Sequence, residues 1–345
     1  MKRSGVPILL VLLGMGLSPV APATMYCVQD AATLAAALQD AGSNGMDDEI
    51  RIAAGSYTPS GLVFGFFGSD GKSLTIEGGY VQTPAKSCLE RGDDPALTVL
   101  DGAGAHAVLS LYQNKTTGDL AVRNLTLRNG IATAFNAPVD IALGDASTAT
   151  LSLENAVVVG HHASGGFPAA VLNSATGALV VRNVVFAQNA TTASVPPVYL
   201  YAQSGPGMTF NNVAVADNQG AGSVGGIRFG GGAPVAIGNS MFWGNSGTDL
   251  ELNTTGGAAL DSDDIESLAG TPDSNANPLA VDPHFAGAGD YRLRGDSPLR
   301  DAGNAGVPGG VGTLDAAGQP RIALGAIDIG AYELTDAIFR GDFEG

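Results

Sequence analysis

The chain predicts an all-β fold, a right-handed parallel β-helix of about 29 residues per coil, and three observations carry that expectation. First, LAVRNLTLRNG (120–130), LSLENAVVVGH (151–161), LVVRNVVFAQN (179–189), MTFNNVAVADN (208–218) and VAIGNSMFWGN (235–245) align without gaps on an asparagine at their fifth position. These are Asn124, Asn155, Asn183, Asn212 and Asn239, spaced by 31, 28, 29 and 27 residues. Second, short alternating stretches run in step with them: VLSLY (108–112), VDIAL (139–143), VLN (171–173), VYLY (198–201) and GIRFG (226–230). Third, glycine makes up 50 of 345 residues and no helical period runs through the repeat, which suits short strands joined by tight turns. A unit of this length cannot close a core on itself. Stacked coils can, each strand pairing with its counterpart about 4.8 Å along the axis, and crossovers between parallel strands favour right-handed winding. The recurring asparagines are expected at the inner corner, their amides bonding to backbone and to one another in a ladder.

The elements follow in chain order. Residues 1–23 read as a secretory signal: Lys2 and Arg3, the apolar run PILLVLLGMGL, then the small-x-small site Ala21-Pro22-Ala23. That run is too short to span a bilayer, and no other stretch is apolar for long enough. DAATLAAALQDAG (30–42) reads as an amphipathic helix plugging the open end of the first coil. EIRIAAGSYT (49–58) and SLTIEGGY (73–80) read as the first coils, and Val81 to Asp101 as a looped insertion carrying Cys88. The regular repeat fills a solenoid over 24–270, a C-terminal capping domain occupies 271–335, and 336–345 form a tail that could serve in sorting.

Composition narrows the function. Removing Lys2 and Arg3 leaves 14 basic residues against 33 acidic, a mature net charge of −19. Such a surface repels nucleic acid and anionic lipid, so neither is an expected partner. Cys27 and Cys88 remain after signal removal; an even pair in an exported chain predicts one disulfide, and neither has a zinc-type neighbour.

The cap helix, IRIAAGSYT, LTIEGGY, TVLDG and the asparagine-turn coils resemble the pectin-lyase-like parallel β-helix superfamily over roughly residues 28–270. That resemblance implies the fold and leaves activity open, because the superfamily holds lyases, hydrolases, adhesins and proteins without known chemistry. VDPHF (281–285), GDYRL (289–293), SPLRDAG (297–303), Asp315 with GQPR (318–321) and DIGAYE (328–333) resemble the choice-of-anchor Q domain. That domain ends many bacterial surface β-helix proteins. The tail IFRGDFEG resembles the C-terminal endings of secreted proteins in some Gram-negative bacteria, and together these imply a secreted or cell-surface location.

The catalytic pattern of the hydrolytic members is missing in order. Gly160-His161-His162 is the only echo of their histidine motif, and Asp140 is the only outward acid of the second strand column. Asp140, His161 and His162 are therefore the candidates for catalysis, and no acid pair accompanies them. Just before the asparagines stand Arg123, Glu154, Arg182, Asn211 and Gly238, whose alternating charges predict a structural salt-bridge ladder. On the second column, Tyr199, Tyr201 and Arg228 are expected to point outward, where two rings and a guanidinium would suit a carboxylated or sulfated glycan. The C-terminal acids (Asp282, Asp290, Asp296, Asp301, Asp315, Asp328, Glu333) come without an EF-hand loop or a Gly-Gly-x-Gly-x-Asp repeat. No cofactor is predicted, and a bound calcium would be structural. Arg-Gly-Asp occurs at 91–93, 294–296 and 340–342; at 294–296 it fills turn positions between the fixed points of the C-terminal motif. The expectation is an exported, non-catalytic protein that binds polysaccharide or a cell-surface ligand, with a lyase or glycosidase for uronic-acid polymers, or a structural spacer, as the alternatives.

Overall fold

A computed structural model of the chain describes residues 23–82, 87–115, 117–132, 137–144, 148–323 and 325–334. The signal segment (apart from Ala23), the tail 336–345 and its Arg-Gly-Asp triplet lie outside the described residues. Among the described residues the fold is a parallel β-solenoid of about eight turns, about 28 residues each, with one α-helix. Two long sheets run its length. The first includes Leu120–Arg128, Thr150–Val159, Ala178–Ala187 and Met208–Ala216; the second includes Leu109–Gln113, Val139–Leu143, Ala170–Ser174, Val198–Ala202 and Val224–Gly231.

Pairing in register stacks like positions. Ile76, Val122, Leu153, Val181, Phe210, Ile237 and Leu260 form one inward column; Phe66, Leu111, Ile141, Leu172, Leu200, Phe229 and Leu252 form the facing one. All are buried. Phe210 anchors the middle, stacked on Phe242 at 5.9 Å and edge-on to Phe229 at 5.1 Å. The helix Ala31–Ala41 buries Leu34, Ala37, Leu38 and Ala41 against the same core and starts with a capping box. In that box the Thr33 N–H donates to Asp30 Oδ1 at 2.8 Å and the Asp30 N–H to Thr33 Oγ1 at 3.2 Å.

The long strands bend where the asparagines stand. Asn124, Asn155, Asn183, Asn212 and Asn239 have φ of 56°, 47°, 55°, 54° and 51°, the left-handed region that asparagine tolerates better than other non-glycine residues. The expected mutual ladder is not there. The amide of Asn124 donates to the carbonyls of Gly78 and Gly92, that of Asn183 to Val311, and that of Asn239 to Asn304. A left-handed residue at a convex bend turns its side chain away from the core, so these amides reach neighbouring segments instead of one another.

The ladder lies at the eleventh position of the same segments. Asn189 Nδ2 donates to Asn218 Oδ1 at 3.1 Å, Asn218 Nδ2 to Asn245 Oδ1 at 2.8 Å, and Asn245 Nδ2 to Asp249 Oδ1 at 2.8 Å. Backbone N–H groups of Asn189 and Asn218 donate to the same oxygens one coil on, and that of Asn245 donates to Asp249 Oδ1 four residues ahead. Every ladder residue is buried, so each amide satisfies groups that would otherwise be orphaned.

Two segments depart from the expected plan. Thr98–Asp101 is a strand in register with the second half of Leu120–Arg128, whereas Leu74–Tyr80 pairs with the first half. The insertion is thus confined to 81–97 and leaves the coil at its bend, where Asn124 holds its Gly92 carbonyl. Cys27 and Cys88 form the expected disulfide, tying the first strand to this insertion.

The C-terminal segment does more than close an end. It returns along the outside of the first sheet: Asn304 meets Asn239, Pro308 and Gly310 meet Asn211, Val311 meets Asn183, and Gly318 packs on Asp93. Tyr291, Leu293, Leu299, Ile329 and Ala331 cover Val185, Ala187, Ala214, Ala216 and Met241, outward residues that would otherwise form an apolar strip. Its motif residues converge in a buried clasp. Asp315 accepts the N–H groups of Ala317, Gln319 and Glu333; Asp328 accepts those of Asp301 and Leu334. Arg321, fully buried, donates to the Asp328 carbonyl at 2.6 Å and stands 3.5 Å from Glu333.

Candidate functional site

Alternation along the second sheet sets its outer face. Asp140, Val171, Tyr199, Arg228 and Glu251 share one outward row; Phe67, Tyr112, Ala142, Asn173 and Tyr201 share the next. The structure brings Tyr199 and Tyr201 together, ring centroids 6.0 Å apart and tilted by 56°. Arg228 stands one coil on from Tyr199 and is ion-paired with Glu251. The Tyr199 ring lies over Gly230, where a β-carbon would come 2.7 Å from its hydroxyl, so glycine there gives the ring its seat. Burial against the sheet raises the Tyr199 pKa, and the phenol stays protonated at neutral pH.

A second aromatic pair belongs to the same face. Phe67 and Tyr112 sit on adjacent coils with centroids 5.6 Å apart and planes 34° apart, 56% and 37% exposed. They occupy the row of Tyr201. Three interstrand steps of about 4.8 Å separate Tyr112 from Tyr201, roughly 14 Å along the axis. Sequence reasoning passed over this pair, although the alternation in FGFFG and VLSLY puts both rings outward.

The catalytic candidates separate. His161 is fully buried and occupies the ladder's place in its coil. Gly130 N–H donates to its Nδ1 at 3.0 Å, and Nε2 stands 3.1 Å from the Leu127 carbonyl, which fixes the neutral tautomer protonated on Nε2. The imidazole thereby imitates the oxygen and amide of the asparagines on later coils. Burial pushes its pKa down to about 4. His162 is exposed beside it. Asp140 is on the other sheet, half-buried, its carboxyl pushed up by desolvation. Its row neighbours are Ser110 and Val171, so no second carboxylate stands one coil away. A general acid and base flanking one bond need two such groups.

The C-terminal acids are engaged with backbone and arginine. Asp290 pairs with Arg292 at 2.6 Å and Asp296 with Arg294 at 3.1 Å; Asp282 accepts the His284 N–H. Among the described residues no group of three or more His, Cys, Asp or Glu side chains is placed to hold a metal ion. The Arg-Gly-Asp turn at 294–296 closes on itself through that pair, and at 91–93 Arg91 is held by Glu77 and Asp93.

Fold and face together define a β-solenoid with a half-exposed aromatic outer sheet and a strap along its other long side. A scan of protein-family models finds none that matches the chain, and no curated protein matches it.

Proposed function

We propose that this is an exported, non-catalytic glycan-binding protein whose second sheet is the binding face. The observation that carries the reading is the pair of aromatic stations in register on one outer face, Phe67 with Tyr112 and Tyr199 with Tyr201. Aromatic rings on a flat parallel sheet offer apolar faces to sugar rings at fixed spacing and low entropic cost. A polysaccharide running along the solenoid axis would meet both stations. Arg228, although paired with Glu251, keeps a guanidinium at the second station for an acidic substituent. The separation of Asp140 from other acids, and the ladder role of His161, favour binding over cleavage.

A secreted or cell-surface location fits the basic-apolar start of the chain and the Cys27–Cys88 disulfide. The choice-of-anchor Q resemblance supports the same placement, and the clasp of Asp315, Arg321, Asp328 and Glu333 gives its repeated letters a structural purpose.

The test is a glycan array with the native chain and a Tyr199→Ala/Tyr201→Ala variant. Specific binding to an acidic polysaccharide, lost in the variant, is expected. Equal binding by the two proteins would remove the face from the account.

A further inference from the structure

The strap and the first sheet enclose a groove of about 430 Å³, away from the aromatic face. Its floor is the outward row that precedes the bends, Glu77, Arg123, Glu154 and Arg182 in register; Gly312, Thr313 and Leu314 of the strap form one wall. The alternating signs imply a continuous ion-pair ladder, yet the pairing is lopsided. Glu154 is taken by Arg182 at 2.6 Å, and Glu77 by Arg91 from the insertion together with the Tyr80 hydroxyl at 2.6 Å. Arg123, between the two acids, makes no hydrogen bond or ion pair among the described residues, and its Nε is buried without an acceptor. Arg91 is spent on Glu77 and Asp93 and Arg182 on Glu154, so among the described residues Arg123 is the guanidinium lining the groove that has no ion-pair partner.

The neutral groups are incomplete as well. Asn124 and Asn183 line the groove, buried to 2% and 1% exposure, and spend their amide N–H groups on the carbonyls of Gly78, Gly92 and Val311. Their Oδ1 atoms are buried with no donor. Those oxygens and the Arg123 Nε are sealed from the groove, so what the groove offers a ligand is the terminal guanidinium nitrogens of Arg123 between the carboxylates of Glu77 and Glu154.

We propose that this groove binds a hydroxylated carboxylic acid, its carboxylate on Arg123 and its hydroxyls donating to the flanking carboxylates of Glu77 and Glu154. A guanidinium fork matches a carboxylate in geometry. A single unpaired guanidinium calls for a monoanion, because a second negative charge would stand uncompensated between Glu77 and Glu154. The volume suits a single sugar-sized acid. This site is independent of the aromatic face, and neither needs the other.

Calorimetric titration of the full mature chain tests it, with D-glucuronate, its methyl ester, D-glucose and inorganic sulfate as probes. Glucuronate is expected to bind, and the ester, glucose and sulfate at least tenfold more weakly. Arg123→Met should weaken glucuronate at least tenfold, and Arg123→Lys less. Circular dichroism checks that each variant is folded; should Arg123→Met fail to fold, Arg123→Lys and the ester decide. Failure of native protein to bind glucuronate at millimolar concentration would overturn the proposal, as would equal binding of ester or sulfate, or an Arg123→Met variant that binds like the native chain.

Discussion

The side-chain amide of Asn183 donates to the carbonyl of Val311 at 3.2 Å, joining residues 128 positions apart. Asn211 does the same to Pro308 and Gly310 at 2.6 and 2.9 Å. Asparagines at and just before the bends thus form a rail on which the C-terminal strap is laid. Replacing both by leucine removes three hydrogen bonds worth roughly 1 kcal/mol each, so local opening of the strap should rise on the order of 100-fold. Amide hydrogen exchange across 304–314 measures it, and unchanged protection would refute the rail.

The inner ladder should matter more per residue. Asn218→Ala leaves the Asn189 N–H without its acceptor and removes three further bonds of the buried amide, from Asn189 Nδ2 and to the Phe186 carbonyl and Asn245 Oδ1. A loss of roughly 2–5 kcal/mol is expected, seen as a lowered thermal midpoint. His161→Asn should be tolerated, since an amide offers the same acceptor to Gly130 and the same donor to Leu127.

Stability should rise as pH falls from about 7.5 to 5. Burial holds the Glu333 pKa at about 7 and that of Asp264 at about 6, above their ordinary values of 4.5 and 3.8. In that window the folded chain carries protons that the unfolded chain lacks, so acidification favours folding. His161 acts in the opposite sense, because its folded value of about 4 lies below 6.5 and protonation favours unfolding between those limits. Glu333→Gln should flatten the rise and His161→Asn should steepen it, both read from thermal midpoints against pH.

The disulfide closes a 61-residue separation. Chain entropy assigns such a loop about 4 kcal/mol, so Cys27→Ala/Cys88→Ala should lose stability up to that amount. Because the bond ties the first strand to the insertion, exchange should increase first in 24–41 and 87–97; a uniform increase along the solenoid would contradict this.

The solenoid was legible because its period is written in residue chemistry: asparagine tolerates the left-handed bend, and alternation marks inward columns. The true ladder was in the same aligned segments but harder to see, since Gly130 and His161 interrupt the column that Asn189, Asn218 and Asn245 complete. Only contacts reveal that an imidazole replaces an amide there. The strap left a trace in unbroken apolar runs such as AVVV and VVFA, which mark strands covered on both faces. What covers them lies about a hundred residues away, and no period points to it. At the aromatic face, Tyr199, Tyr201 and Arg228 followed from alternation. Phe67 and Tyr112 required the register of the first coils, which the insertion at 81–97 obscures.

The central claim is that the two aromatic stations act on one extended glycan, and affinity against oligosaccharide length tests it most directly. For an acidic glycan that the native protein binds, affinity should step up by at least tenfold once the oligomer can span the roughly 14 Å between Tyr112 and Tyr201. Phe67→Ala/Tyr112→Ala should abolish the step and leave short oligomers unaffected, with no shortening of the glycan during the measurement. A smooth length dependence unchanged by that variant, or release of new chain ends, would contradict the account.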